Sequence, residues 1–235
     1  MKSDFFYSKT AGLYVAAGPL KIDSRVKIAA EKNNVEIDWD DEGRVNNIDF
    51  DNAKLLLKGL SSVMLTPTNY WKVMNDAIQA RNKDMIKSLT SPRFCEWLDR
   101  VYLEDGHSID NTEIVGKYKY TGKRVKSVFP HGRPGWMNPQ DIDPKLGVPI
   151  KVKSLREKFA TNWKYWSPDF SVTKLGALAL IRGYVTSVGK PSLDLGIPVD
   201  AKQPMLMIRE CRRIPLEPPI KQEILDQAEK LLKPY

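Results

Sequence analysis

The last third of the chain decides the fold: Asn162-Trp163-Lys164-Tyr165-Trp166, then Ile181-Arg182-Gly183-Tyr184, then Ile208-Arg209-Glu210-Cys211-Arg212-Arg213. Aromatic residues, short apolar runs and Gly or Pro breaks alternate there at spacings too short for long helices, which is the pattern of strands and turns. Trp163, Trp166, Ile181 and Ile208 are expected to be buried in a sheet.

Upstream, the apolar spacing turns helical. Ala53, Leu56, Leu57 and Leu60 predict a helix over 51–60, with Asp49 or Asp51 at its start. Thr66-Pro67 is a cap residue followed by proline at the first helical position, and Tyr70, Val73, Met74 and Ala77 give one face of a second helix over 67–81. Ser91-Pro92 repeats that signal, and Phe94, Trp97, Leu98 and Val101 predict a third helix over 92–101, with Cys95 as a small buried hydrophobe on it. Helices covering a twisted, mostly antiparallel sheet make an α+β domain.

Between Glu113 and Val128 apolar and basic residues alternate around a turn expected near Thr121-Gly122. Lys117, Lys119, Lys123 and Arg124 with Tyr120 interleave cations and aromatics, a pattern that suits phosphate contacts and base stacking. Lysines also keep exposed strand edges from pairing with other chains. Phe129 to Pro149 is rich in Pro and Gly and is expected as an ordered loop, with Arg133 and Trp136 as candidate binding residues. The acidic stretch Glu36 to Gly43 reads as a strand running into a turn at Gly43. It lacks the Gly and Glu positions of a calcium loop, so no metal is expected there.

Composition bounds the function. The 235 residues, 42% of them hydrophobic, suffice for a real core, and the formal charge of +8 permits phosphate or acidic partners, so nucleic acid stays a possible partner. Two cysteines, Cys95 and Cys211, without CxxC spacing signal neither a disulfide framework nor a zinc site, which points to a reducing, cytoplasmic setting. Asp4 and Ser8-Lys9-Thr10 interrupt the apolar patch near the start, so no secretion signal is expected. No apolar run is long enough to cross a bilayer, and no membrane partner is expected. The phosphate-loop, dinucleotide, zinc-protease and serine-hydrolase motifs do not occur. Two histidines exclude a three-histidine metal site. Asp99 and Glu104 are a carboxylate pair that sequence cannot bring together. No cofactor is implied, and the balance leans away from an enzyme.

Five segments, in order, resemble the formylglycine-generating enzyme (sulfatase-modifying factor) family. Ile48-Asp49-Phe50-Asp51-Asn52-Ala53 looks like its V-S-W-x-D-A helix start, and Met64-Leu65-Thr66-Pro67-Thr68-Asn69-Tyr70-Trp71 like its R-L-P-T-E-A-E-W segment. Asn162 to Asp169 is similar to its N-V-W-E-W-x-x-D strand, Ile181-Arg182-Gly183 to its R-G-G, and Met207 to Arg212 to its closing G-F-R-x-x-R strand. The resemblance implies a C-type-lectin-like domain over 45–213, preceded by a strand-rich extension over 1–44 and followed by a linker and amphipathic helix over 214–235. Family enzymes carry a cysteine pair before the final strand, whereas Gly189 to Pro204 contains none, so the resemblance implies the non-catalytic branch of ligand-recognition proteins. Carried onto this chain, the exposed stretch before the final strand offers Tyr184, Thr186, Lys190, Ser192, Asp194, Lys202 and Gln203 to a protein or small-molecule ligand. Gly189, Pro191, Gly196 and Pro198 predict irregular backbone there.

Overall fold

The computed structural model describes residues 5–91, 95–105, 107–126, 136–137, 164–166, 174–175, 177–182 and 192–213. The strand pair β1 (Phe5–Ser8) and β2 (Leu13–Ala16) leads into helix α1 (Ser24–Lys32), the small pair β3 (Asp38–Trp39) and β4 (Val45–Asn46), and helices α2 (Phe50–Gly59), α3 (Pro67–Gln79) and α4 (Lys83–Thr90). Strands β5 (Cys95–Leu103), β6 (His107–Gly116), β7 (Lys119–Lys126), β8 (Trp136–Met137), β9 (Lys164–Trp166), β10 (Ala177–Arg182), β11 (Ser192–Pro198), β12 (Leu206–Met207) and β13 (Cys211–Arg212) follow.

Eight strands form one sheet in the order β7-β6-β5-β10-β11-β9-β8, with β12 beside the start of β5. All its pairings are antiparallel except β11 with β9 and β12 with β5. The chain is therefore a mixed α+β fold on a mostly antiparallel sheet, as the sequence predicts. The strand expected at Asn162 to Asp169 is β9. Ile181 and Ile208 are buried; the side chains of Trp163 and Trp166 lie outside the described residues. The linker and helix expected over 214–235 and most of the Pro-rich loop also lie outside them.

The centre is β5, covered on both faces. Cys95, Trp97 and Val101 point toward α1 and α2, while Leu98 and Tyr102 point toward α3 and α4. This overturns the helix expected over 92–101. A strand buried on both faces shows no apolar–polar alternation, so its apolar residues also fit a helical spacing. Ser91 precedes Pro92 and is extended (φ −61°, ψ 127°), so the preceding helix α4 ends at Thr90.

Local signals hold where they are capping chemistry. Asp49 accepts the Asn52 amide at 2.8 Å at the start of α2, and Thr66 accepts the Asn69 amide at 3.2 Å ahead of Pro67 in α3. Tyr70, Val73, Met74 and Ala77 are all buried. Val26-Lys27-Ile28, a short apolar piece in sequence, lies in α1, which Asp23 caps at the Val26 amide.

The N-terminal strands share the core: β2 pairs with β13, and Leu13 and Val15 pack with α3. Asp76 of α3 fixes the β1–β2 connection by accepting Ser8 Oγ at 2.7 Å and the Thr10 amide at 2.9 Å.

The hairpin forms as β6 and β7, but its turn is Lys117-Tyr118 and not Thr121-Gly122. Tyr118 takes φ +57°, and Asp51 of α2 accepts its amide at 3.0 Å. Gly122 sits inside β7 at φ +150°, where a Cβ would stand 2.7 Å from the Asp110 carbonyl oxygen. Its glycine serves close approach at an irregularity between Asp110 and Glu113, which mimics a turn signal in sequence.

Charge is buried on the α3–α4 face of β5. Glu96 lies between Arg182 and Arg209, whose side chains are 0% and 2% exposed. Arg182 Nε donates to Glu96 Oε2 at 2.9 Å, and Arg209 Nη2 donates to Oε1 at 2.6 Å. The remaining guanidinium protons reach Leu89 O, Ser91 O, Ala16 O and Ser88 Oγ, so the cluster joins α4, β5, β10 and the end of β2.

Candidate functional site

A cleft of about 730 Å3 opens where α2, the start of α3, β6 and the β1–β2 connection meet. That volume is in the range of small-ligand sites, roughly 300–1,000 Å3. Lys54 and Lys58, four residues apart, fall on one face of α2 and reach its wall. Its apolar floor includes Leu57 and Met64, both buried. Asn69 enters from the first turn of α3, and its side-chain amide has no hydrogen-bond partner among the described residues.

Asp99 of β5 is the acid inside the cleft. Its odd-numbered position turns it toward α2, where Lys54 donates to Oδ2 at 2.7 Å. Thr112 of β6 donates to Oδ1 through its amide at 3.0 Å and its hydroxyl at 2.6 Å. Both oxygens thus accept hydrogen bonds and the charge is paired, which makes Asp99 an organiser of the cleft wall. Asn111, at φ +50°, and Glu113 flank Thr112 at the rim, and Arg213 closes the other side beyond β13.

The cysteines take no part. Cys95 and Cys211 are both buried and form no disulfide, and burial pushes the Cys211 thiol well above its ordinary range, so it is held as an inert thiol. Among the described residues no group of three or more His, Cys, Asp or Glu is placed to hold a metal ion. No helix among them is long and apolar enough to cross a membrane.

The residues singled out in the sequence scatter. Lys202 and Gln203 are exposed ahead of β12, Lys202 lies 3.6 Å from Glu36, and neither lines the cleft. Ser192 and Asp194 belong to β11, so the strand β11 occupies part of the stretch expected to be irregular; their side chains lie outside the described residues. Trp136 belongs to β8, opposite Trp166, and its side chain too is outside them. Tyr184, Thr186, Lys190 and Arg133 fall wholly outside the described residues.

On the hairpin, Lys117, Lys119, Lys123 and Arg124 are exposed, and Arg124 pairs with Asp105. Tyr120 faces inward: its ring meets Phe50 edge-on at 5.8 Å and its hydroxyl donates to Asp51 Oδ1 at 2.6 Å. Burial, with Asp51 accepting its proton, holds that phenol far above the ordinary tyrosine range. Its ring is half-buried against Phe50.

Lys54, Lys58, Asn111 and Arg213 are the cleft residues that sequence reasoning missed. The spacing of Lys54 and Lys58 on a helix was the one local signal. Comparison of the chain with protein-family models, with curated proteins and with solved structures finds no match.

Proposed function

We propose that the chain is a non-enzymatic recognition protein that takes a small ligand into the cleft between α2 and β6, on a scaffold of the C-type-lectin-like kind. The cleft carries this reading: a concave surface of ligand-site volume on which apolar side chains and polar groups from separate elements converge in about equal measure. Support for a binding rather than a catalytic role comes from Asp99, whose charge is paired with Lys54 and whose oxygens both accept hydrogen bonds, and from the burial of both thiols. Support for the scaffold comes from α2 and α3, which begin inside the two family-like segments at Ile48 and Met64, and from the buried arginines Arg182 and Arg209 of the later ones.

Titrating isotope-labelled protein with a library of small fragments tests the reading. Amide shifts are expected to cluster at Lys54 to Met64 and Asn111 to Ile114. Shifts confined to Ser192 to Gln203 would move the site to the stretch before β12, and no clustered shift at all would remove the proposal.

The competing reading is nucleic-acid binding through the hairpin, favoured by Lys117, Lys119 and Lys123, which are exposed and have no ion-pair partner among the described residues. Retention of labelled single- and double-stranded DNA across a salt series decides it, because phosphate contacts weaken steeply with salt. Retention that is weak and flat with salt eliminates it.

A further inference from the structure

We propose that the ligand of the cleft is an amphipathic anion, an apolar body bearing one carboxylate, sulfonate or phosphate, with Lys58 and Arg213 as its charge partners. This rests on the reading of the cleft as the binding site and names the class of molecule it takes.

The charges around the cleft differ in what they have left to give. Lys54 is committed to Asp99, and that acid is further covered by Thr112, so the pair contributes little net field. Lys58 and Arg213 are exposed at the rim and have no ion-pair partner among the described residues. Glu113 is the acid that opposes them, and it too is unpaired among the described residues. Two uncommitted cations against one carboxylate leave the rim positive. A cation held at the edge of a low-dielectric wall attracts an anion more strongly than it does in open water.

Below the rim, apolar side chains share the lining with the Asp99–Lys54–Thr112 network. Leu57 and Met64 are buried, while Leu55, Val63 and Ile114 are half-buried and present hydrocarbon to the opening. A purely ionic ligand would leave that floor wet, and a purely apolar one would strip water from Lys58 and Arg213 without replacing it. A molecule with an apolar body and an anionic head satisfies both. The free amide of Asn69 adds a neutral donor for a head oxygen.

Two dyes of nearly the same shape separate the elements of this proposal: 8-anilinonaphthalene-1-sulfonate, an anion, and N-phenyl-1-naphthylamine, its neutral counterpart. Fluorescence titration of the intact chain at low salt is expected to show the anionic dye binding about tenfold more tightly, which corresponds to about 1.4 kcal/mol. In Lys58→Met/Arg213→Met that advantage disappears and the neutral dye is unaffected; in Glu113→Gln the anionic dye binds several-fold more tightly. Added salt weakens the anionic dye alone. These positions are exposed, and an unchanged urea midpoint verifies that each variant is folded.

Equal affinity for the two dyes overturns the anionic class while leaving the cleft as a binding site. An anion preference that survives Lys58→Met/Arg213→Met overturns the assignment of those two residues. Leu55→Trp, which fills the opening, is expected to abolish both dyes; failure of both dyes to bind the unmodified chain, or binding that ignores Leu55→Trp, removes the cleft itself.

Discussion

Replacing Glu96 by Gln keeps the shape of the buried cluster and removes its single negative charge. In the native chain one carboxylate faces two guanidiniums, with Glu96 1% exposed and Arg182 0% exposed. After the change, an amide NH2 confronts guanidinium donors and both cations stay buried without the carboxylate that neutralises them. Breaking a buried ion pair by removing one member costs about 3–5 kcal/mol, since an uncompensated charge remains inside. At an m-value of about 2.5 kcal/mol/M the urea midpoint, followed by tryptophan fluorescence, should fall by roughly 1–2 M. The thermal midpoint should fall by about 6–20 °C, at about 2–4 °C per kcal/mol for a chain of this size.

The pH dependence gives a second readout. Burial would raise the Glu96 carboxyl, but the charges and hydrogen bonds of Arg182 and Arg209 outweigh it and hold it below the usual carboxylate range. A depressed folded value means that its stabilisation is complete above the unfolded value, about 4.3, and is lost as pH falls through the folded one. The gap between native and Glu96→Gln should therefore be constant from neutral pH down to about pH 5 and narrow below about pH 4. Glu96→Met combined with Arg182→Met and Arg209→Met should recover most of the loss, because an apolar replacement of an entire buried triad removes its desolvation cost. A midpoint shift below about 0.3 M for Glu96→Gln, or a gap that ignores acid, would refute the claim that desolvated charge holds α4, β5 and β10 together.

Three further outcomes follow from single positions. Gly122→Ala should cost about 2 kcal/mol in the urea midpoint, because its Cβ would meet the Asp110 carbonyl oxygen at 2.7 Å and Ile109 Cγ2 at 2.8 Å at a φ of +150°; a neutral substitution would mean the strand shifts freely there. Tyr120→Phe should lose about 1 kcal/mol at pH 7 by taking the hydroxyl from Asp51 Oδ1 while the Tyr118 amide still bonds Oδ2, and less above about pH 10: the native phenol's raised value stabilises fully below the unfolded value and is lost as pH rises, a loss the variant cannot suffer. Neither Cys95 nor Cys211 should react with an aromatic disulfide reagent in the native chain, and both should react in denaturant; a fast native phase would place one of them at the surface.

Part of this molecule was legible in its sequence and part was not, for reasons visible at particular residues. The starts of α2 and α3 are local events, in which Asp49 and Thr66 bond amides three residues away, so their signature survives in one dimension. The order of the strands is not local. Cys95–Leu103 reads as a helix because burial on both faces erases the alternation that marks a half-exposed strand. Gly122 reads as a turn because glycine reports a backbone demand without saying which, and here the demand is close approach to Asp110.

The cleft follows from the same point. Its polar residues come from α2, α3, β5, β6 and Arg213 just after β13, and no spacing rule joins position 54 to 99 or 99 to 112. With residues 92–101 as a helix, Asp99 would share a turn with Cys95 and Val101 would lie on another face, and nothing would connect it to Lys54. As a strand with period two, Asp99 must follow Cys95 and Trp97 to the α2 side, and its amide is held there by the Leu65 carbonyl at 2.7 Å. Once that side is fixed, an acid facing a helix needs a cation within reach, and Lys54, one turn before Lys58 on the exposed half of α2, supplies it. The register of one buried strand thus determines which charges in the cleft are spent and which, at Lys58 and Arg213, remain for a ligand.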